Sequence, residues 1–139
     1  MGTNKLLAKN IQRKWHLVDA KDKILGRLAS EVAMILMGKN KPSFVPYLDT
    51  GDYVVVTNAS LVKMTGKKMM NKTYTRHSGY PGGLTVETFD KVIVKKPEFV
   101  IEHAIAGMLP GTKLGKQMIK KLKVFKGEEH SYSKQLGQQ

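Results

Sequence analysis

Four adjacent residues narrow the possible folds most. Tyr53-Val54-Val55-Val56 is an unbroken aromatic and β-branched run. A strand with one wet face alternates apolar and polar residues, so a continuous run suits a strand buried on both faces, as in a parallel sheet. Upstream, Trp15 to Ala20 (WHLVDA) reads as a second short strand. Between the two, Leu28, Val32 and Ile35/Leu36 recur at helical spacing from Leu25 onward, and Gly38 stands where a helix-closing C′ residue belongs.

The rest of the chain continues in the same style. Thr73 to Arg76 reads as a short strand and Thr85 to Val94 as a helix, with Glu87 and Asp90 near its start. Pro97 suits the first turn of a further helix carrying Val100, Ile101, Ala104, Ile105 and Met108. Lys113 to Leu122 reads as the last helix, and Val124-Phe125 as a closing strand. Strands alternating with helices argue for a layered α/β domain with a mainly parallel sheet. At 139 residues there is room for one such domain with one core. It is placed at residues 15–127, between a basic N-terminal arm (1–14) and a C-terminal tail (128–139) expected to be frayed. The arm carries Lys5, Lys9, Arg13 and Lys14 without an acid, but it is short and lacks serine, so a basic arm is preferred over a transit peptide.

Charge restricts the partners. Lys and Arg total 24 against 11 Asp and Glu, a formal +13. A compact domain holding that excess repels itself unless a polyanion neutralises it. Nucleic acid is the first candidate and an anionic membrane surface the second. The excess is also unevenly placed. No acid occurs between Tyr53 and Val86, which hold Lys63, Lys67, Lys68, Lys72 and Arg76. None occurs between His103 and Gly127, which hold Lys113, Lys116, Lys120, Lys121, Lys123 and Lys126. Solvated surfaces intersperse the two signs, so two acid-free blocks suggest two RNA-facing surfaces.

Within the second block, Lys113, Lys116, Lys120 and Lys123 fall in one arc of the expected helix, opposite Leu114, Met118, Ile119 and Leu122. A row of ammonium groups one turn apart suits phosphates along a backbone groove. An ordinary wet face would carry Glu among its lysines, and this one has none. The membrane alternative wants an aromatic at the apolar edge, and this helix has none. His77 to Gly83 (HSGYPGG) must be a shaped loop, since three glycines and a proline forbid a helix or interior strand. Tyr80 and His77 offer flat faces for an unpaired base, with Arg76 and Lys72 alongside. The alternative is a tight turn with a Tyr lid over the core.

Catalytic motifs fail one by one. Gly107 to Lys116 resembles a phosphate loop, but three residues rather than four separate Gly111 from Gly115, and Gln117 follows Lys116. Gly26 after the first strand is no dinucleotide fingerprint on its own. Asp49-Thr50-Gly51 matches the aspartic-protease triplet, yet Asp52 adds a further anion and no all-β pattern surrounds it, so a turn into the strand at Tyr53 is the better reading. The four histidines are scattered, with only Glu102 beside His103. There is no cysteine, which removes disulfides, thiolate zinc sites and thiol nucleophiles together and fits a reducing compartment. No stretch approaches the roughly 18 apolar residues of a membrane span.

Four collinear stretches carry a family resemblance: Trp15 to Ser30, Gly38 to Ala59, Thr65 to Gly83, and Gly107 to His130. In order and spacing the chain resembles the bacterial-type ribosomal protein family numbered thirteen of the large subunit. The resemblance implies a three-layer α/β/α domain with a four-stranded, mainly parallel sheet. It also implies binding to large-subunit ribosomal RNA beside neighbouring ribosomal proteins, early incorporation during assembly, and a cytoplasmic ribosome of bacterial type or its organellar counterpart. No catalysis, cofactor, metal, membrane or small-molecule substrate is implied. The RNA-facing positions it carries across are Arg27, Lys39 and Lys41; Lys67, Lys68 and Lys72; Arg76, His77, Ser78, Gly79, Tyr80, Gly82 and Gly83; and, within Gly107 to Lys123, Lys113, Lys116, Lys120, Lys121 and Lys123. Lys116 stands where the family usually has Arg, and a lysine offers a point charge rather than a bidentate fork.

Overall fold

The computed structural model describes residues 10–137, so most of the basic arm (residues 1–9) and the last two residues of the tail lie outside the described residues. Strand β1 (Trp15–Asp19) leads into helix α1 (Leu25–Met37) and then strand β2 (Tyr53–Thr57). A 3-10 turn at Ala59–Leu61 and a short helix α2 (Lys68–Asn71) precede the antiparallel strands β3 (Thr73–His77) and β4 (Leu84–Thr88). Helices α3 (Phe89–Lys95), α4 (Pro97–Met108) and α5 (Lys113–Ile119) follow, then strand β5 (Leu122–Val124) and helix α6 (Ser133–Gly137).

The valine run behaves as its composition requires. β2 is the middle strand of a parallel sheet ordered β1-β2-β5, with Trp15 opposite Tyr53 and Val54 opposite Leu122. Val54, Val55 and Val56 are fully buried. Alternation along the strand sends Val54 and Val56 into the main core, with Leu28, Val32 and Leu36 of α1 and Val100, Ile101 and Ile105 of α4. Both crossovers step in the same direction across the sheet. Right-handed connections then place their helices on the same face, and α1 does pack against α4. α1 closes on Gly38 at φ +81°, whose N–H reaches the carbonyls of Ile35 and Met34.

The opposite face is covered differently. Trp15 stacks on Tyr53 at 4.4 Å between ring centroids, and Tyr132 stacks on Trp15 at 5.2 Å. Phe125 lies 6.0 Å from Tyr132 and 6.1 Å from His130. The tail from Glu128, expected to be frayed, thus folds back over β1, and α6 packs there. Replacing Tyr132 with alanine should shift the emission of the chain's single tryptophan to longer wavelength and cost about 1 kcal/mol, the scale of an aromatic pair. Fluorescence and thermal unfolding check this, and an unmoved spectrum would detach the tail from Trp15.

Two expectations about the fold are corrected. The sheet among the described residues has three strands, not four, and its second face carries a short C-terminal segment rather than a full helical layer. The strand read at Thr73 to Arg76 is present as Thr73–His77, but it pairs antiparallel with β4 in a separate two-stranded sheet. Its sequence, TYTRH, has no apolar face to bury, and only Tyr74 of its residues is even half-buried. The segment read as a helix from Thr85 begins as strand β4, because Thr85, Val86 and Thr88 are β-branched and favour extended backbone. The helix starts only at Phe89, after Thr88 has hydrogen-bonded the Asp90 carboxylate.

Candidate nucleic-acid interface

The lysines divide into an internal and an external set, and the turn Asp49-Thr50-Gly51-Asp52 makes the division. Asp52 is 2% exposed. Its carboxylate accepts hydrogen bonds from Lys41 Nζ at 2.5 Å and from the Lys14 amide at 3.0 Å, and lies 2.8 Å from His16 Nε2. Lys41 spends its other donors on the carbonyls of Gln12 (2.9 Å) and Thr50 (3.0 Å). Asp49 accepts from Lys121 Nζ at 2.5 Å, and Lys121 also donates to the Leu36 carbonyl at 3.0 Å. Arg13 donates to the backbone carbonyl of Asp49. Gly51 sits so close beneath the end of α1 that any Cβ would collide with the Leu36 carbonyl.

Burial by itself pushes the Asp52 carboxyl up, but the bonds from Lys41, the Lys14 amide and His16 outweigh it and hold the group below the usual aspartate value. Burial pulls the Lys121 ammonium below its ordinary value, and Asp49 offsets only part of that. These carboxylates close a structural clasp, each bonded to a lysine. Asp49 caps the Gly51 amide two residues on, as expected of a segment leading into the strand at Tyr53, and the protease reading has no geometry to support it.

Lys41 and Lys121 must accordingly be withdrawn from the RNA-facing set. Lys121 is 5% exposed, and both ammonium groups are already satisfied by carboxylate and carbonyl oxygens. The four-lysine helical row is also corrected. α5 ends at Ile119 because the next residues are taken into β5, pairing Leu122 with Val54. Lys113 and Lys116 remain exposed one turn apart on the helix, Lys120 is exposed at its C-cap, and Lys123 is half-buried on a strand.

The external set stands on other elements. β3 and β4 form a hairpin whose loop is closed by the Ser78 amide donating to the Gly83 carbonyl and the Gly83 amide donating to the Tyr80 carbonyl. Gly79 and Gly82 hold φ of +88° and +71°, where a side chain would be strained. The Gly79 amide donates to His77 Nδ1 at 2.9 Å. Tyr80 is 76% exposed, which rules out a lid over the core. Arg76, His77 and Ser78 are exposed beside it.

Arg27, Lys68 and Lys72 are far apart in sequence, yet they line a single groove between α1, α2 and α4. The Lys72 ammonium lies 5.4 Å from the centre of the Tyr74 ring. Lys67 and Lys39 are exposed outside this groove. Among the described residues, none of Arg27, Lys39, Lys67, Lys68, Lys72, Arg76, Lys113, Lys116, Lys120 and Lys123 forms an ion pair with a carboxylate. Sequence reasoning missed Met64 and His103, which share the groove with Met108 of the carried-over Gly107 to Lys123 stretch. No linear signal marks them, since only the folded chain brings the segment before α2 and the second half of α4 to one groove. A second cleft of about 340 Å³ lies between the hairpin and α3–α4, and there Glu87 pairs with Lys95 at 2.9 Å. Among the described residues there is no His/Asp/Glu group able to hold a metal, and no helix is long and apolar enough to cross a membrane.

Fold and charge together define a small, basic, mixed α/β protein with outward-facing cations and a carboxylate clasp inside. The family model described as Ribosomal protein L13 matches residues 13–131. The chain is 58% identical over 126 residues to a large ribosomal subunit protein uL13 of Prochlorococcus marinus, covering 91% of this chain and 84% of that one. It is 55% identical to the protein of the same name from Symbiobacterium thermophilum (91% and 88% covered), and 54% identical to that of Caldanaerobacter subterraneus (91% and 88%). The chain belongs to the ribosomal protein L13 family, which is structural and not enzymatic.

Proposed function

We propose that the chain is a structural constituent of the large ribosomal subunit that binds ribosomal RNA and helps early subunit assembly in a cytoplasmic, bacterial-type ribosome. One observation carries this reading: the exposed cations Lys68, Arg76, Lys113, Lys116 and Lys120 have no carboxylate partner among the described residues, whereas Lys41 and Lys121 are turned inward onto Asp52 and Asp49. Unpaired surface lysines release counterions when they meet phosphates, and a rigid glycine-shaped loop fits folded RNA by shape. Exposed Leu84 and Val86 on the hairpin, together with Val94, offer apolar contacts to neighbouring large-subunit proteins. Sedimentation of the tagged chain from a cell lysate tests the proposal. Co-migration with the large subunit at moderate salt supports it, and a free pool with none on ribosomes rejects it.

The hairpin loop gives a sharper test. Deleting Gly79 to Gly82 leaves Ser78-Gly83, a two-residue connection of the kind hairpins accept. The loop is exposed, so the melting temperature should stay within roughly 3 °C, while incorporation into the large subunit falls several-fold. Unfolding of the deleted chain would show that the loop supports the core instead.

A further inference from the structure

We infer that the groove between α1, α2 and α4 receives one unpaired RNA nucleotide, its base on the apolar floor and its phosphates on Arg27, Lys68 and Lys72. The inference rests on the RNA-binding reading above and adds a place and a kind of RNA to it. The groove holds about 680 Å³, within the range of pockets that bind small molecules. Leu25, Met64, Ala104 and Met108 line it with apolar surface, and methionine side chains adapt readily to flat partners. None of the lining residues is acidic, and the three cations have no carboxylate partner among the described residues. An apolar floor beneath unpaired cations matches a nucleotide better than a bare phosphate, which would leave the floor uncovered.

Two glycines point the same way. Gly26 in α1 and Gly107 in α4 both line the groove, and neither has a positive φ. A Cβ built on either would meet nothing within 4 Å. Both lie in the terminal turns of their helices, where glycine has no helix-forming advantage over alanine, and no positive φ or internal contact requires it. What the missing side chains leave is bare helix surface facing the groove, which lets a flat ring approach closely. A base stacked within a duplex cannot enter such a site, so the occupant is a bulged, looped or terminal nucleotide.

The test uses the full chain bound to a transcript of bacterial large-subunit ribosomal RNA. Ultraviolet crosslinking with mass spectrometry locates the bases touching the protein. Gly107→Leu fills the groove without altering charge, and Gly107→Ala fills it less. The expected result is a base crosslinked within Met64–Lys72 or His103–Met108. Gly107→Leu should lose that crosslink and bind at least tenfold more weakly, with an unchanged salt slope and an undiminished melting temperature, and Gly107→Ala should fall between it and wild type. Binding by both variants within twofold of wild type, with crosslinks only outside the groove, overturns the inference and leaves RNA binding intact. Wild-type protein that fails to bind the transcript overturns the RNA-binding reading itself, and this inference with it.

Discussion

Replacing Asp49 with alanine should destabilise the protein by about 3–5 kcal/mol, because it strands a buried ammonium. Lys121 Nζ would keep only the Leu36 carbonyl, in a place water scarcely reaches. For a domain of this length, that corresponds to a fall in melting temperature of roughly 10–20 °C. The converse change, Lys121→Met, should cost less, since Asp49 is less buried and keeps its bonds from the Gly51 amide and Arg13. The double variant Asp49→Ala/Lys121→Met should recover much of the loss, as apolar replacements of buried ion pairs commonly do. A double variant as unstable as Asp49→Ala would show that the cost lies in the turn rather than in the stranded charge.

The clasp also sets the acid limb of stability. The Asp52 carboxyl lies below its ordinary value in the folded chain, so its ionised form favours folding. That contribution is complete above the unfolded aspartate value of about 3.9 and disappears as acidification carries pH through the lower folded value. Asp52→Asn should therefore flatten the loss of stability below about pH 4, as well as lowering stability at neutral pH. Thermal unfolding across that range reads both effects.

What could be read from the sequence follows from the range of the forces involved. The valine run, the α1 periodicity with Gly38 at its end and Pro97 at the start of α4 are local signals, and the structure keeps all three. The end of α5 was hidden, because helical spacing continues through Leu122 until pairing with Val54 overrides it. β4 was hidden because Glu87 and Asp90 imitate a helix start, while the β-branched residues around them decide the backbone. The clasp was the hardest feature to see. Asp49 and Lys121 are separated by 72 residues, and an acid-free block looks like surface until one of its lysines is shown to be buried. A hint was present nonetheless: in a chain with so few acids, two of them bracketing one glycine invite distant lysines inward.

The same division of lysines predicts two separable phenotypes. Converting Lys113, Lys116 and Lys120 to glutamine should leave folding nearly unchanged, since all three are exposed and none pairs with a carboxylate among the described residues. Each lost phosphate contact should lower the slope of log K against log salt by roughly 0.7–0.9. At physiological salt that amounts to about four- to fivefold per contact, so the triple variant should bind large-subunit RNA roughly 50- to 150-fold more weakly. Lys41→Met should do the reverse, lowering the melting temperature by removing a bond to Asp52 while leaving the salt slope of the folded fraction alone. Net charge cannot explain such a contrast, because each substitution removes one positive charge per site and only the direction that charge faces differs. A salt slope that falls equally per charge for Lys41 and for the α5 lysines would mean that RNA senses the chain's total charge, and the separation into clasp and interface would be lost.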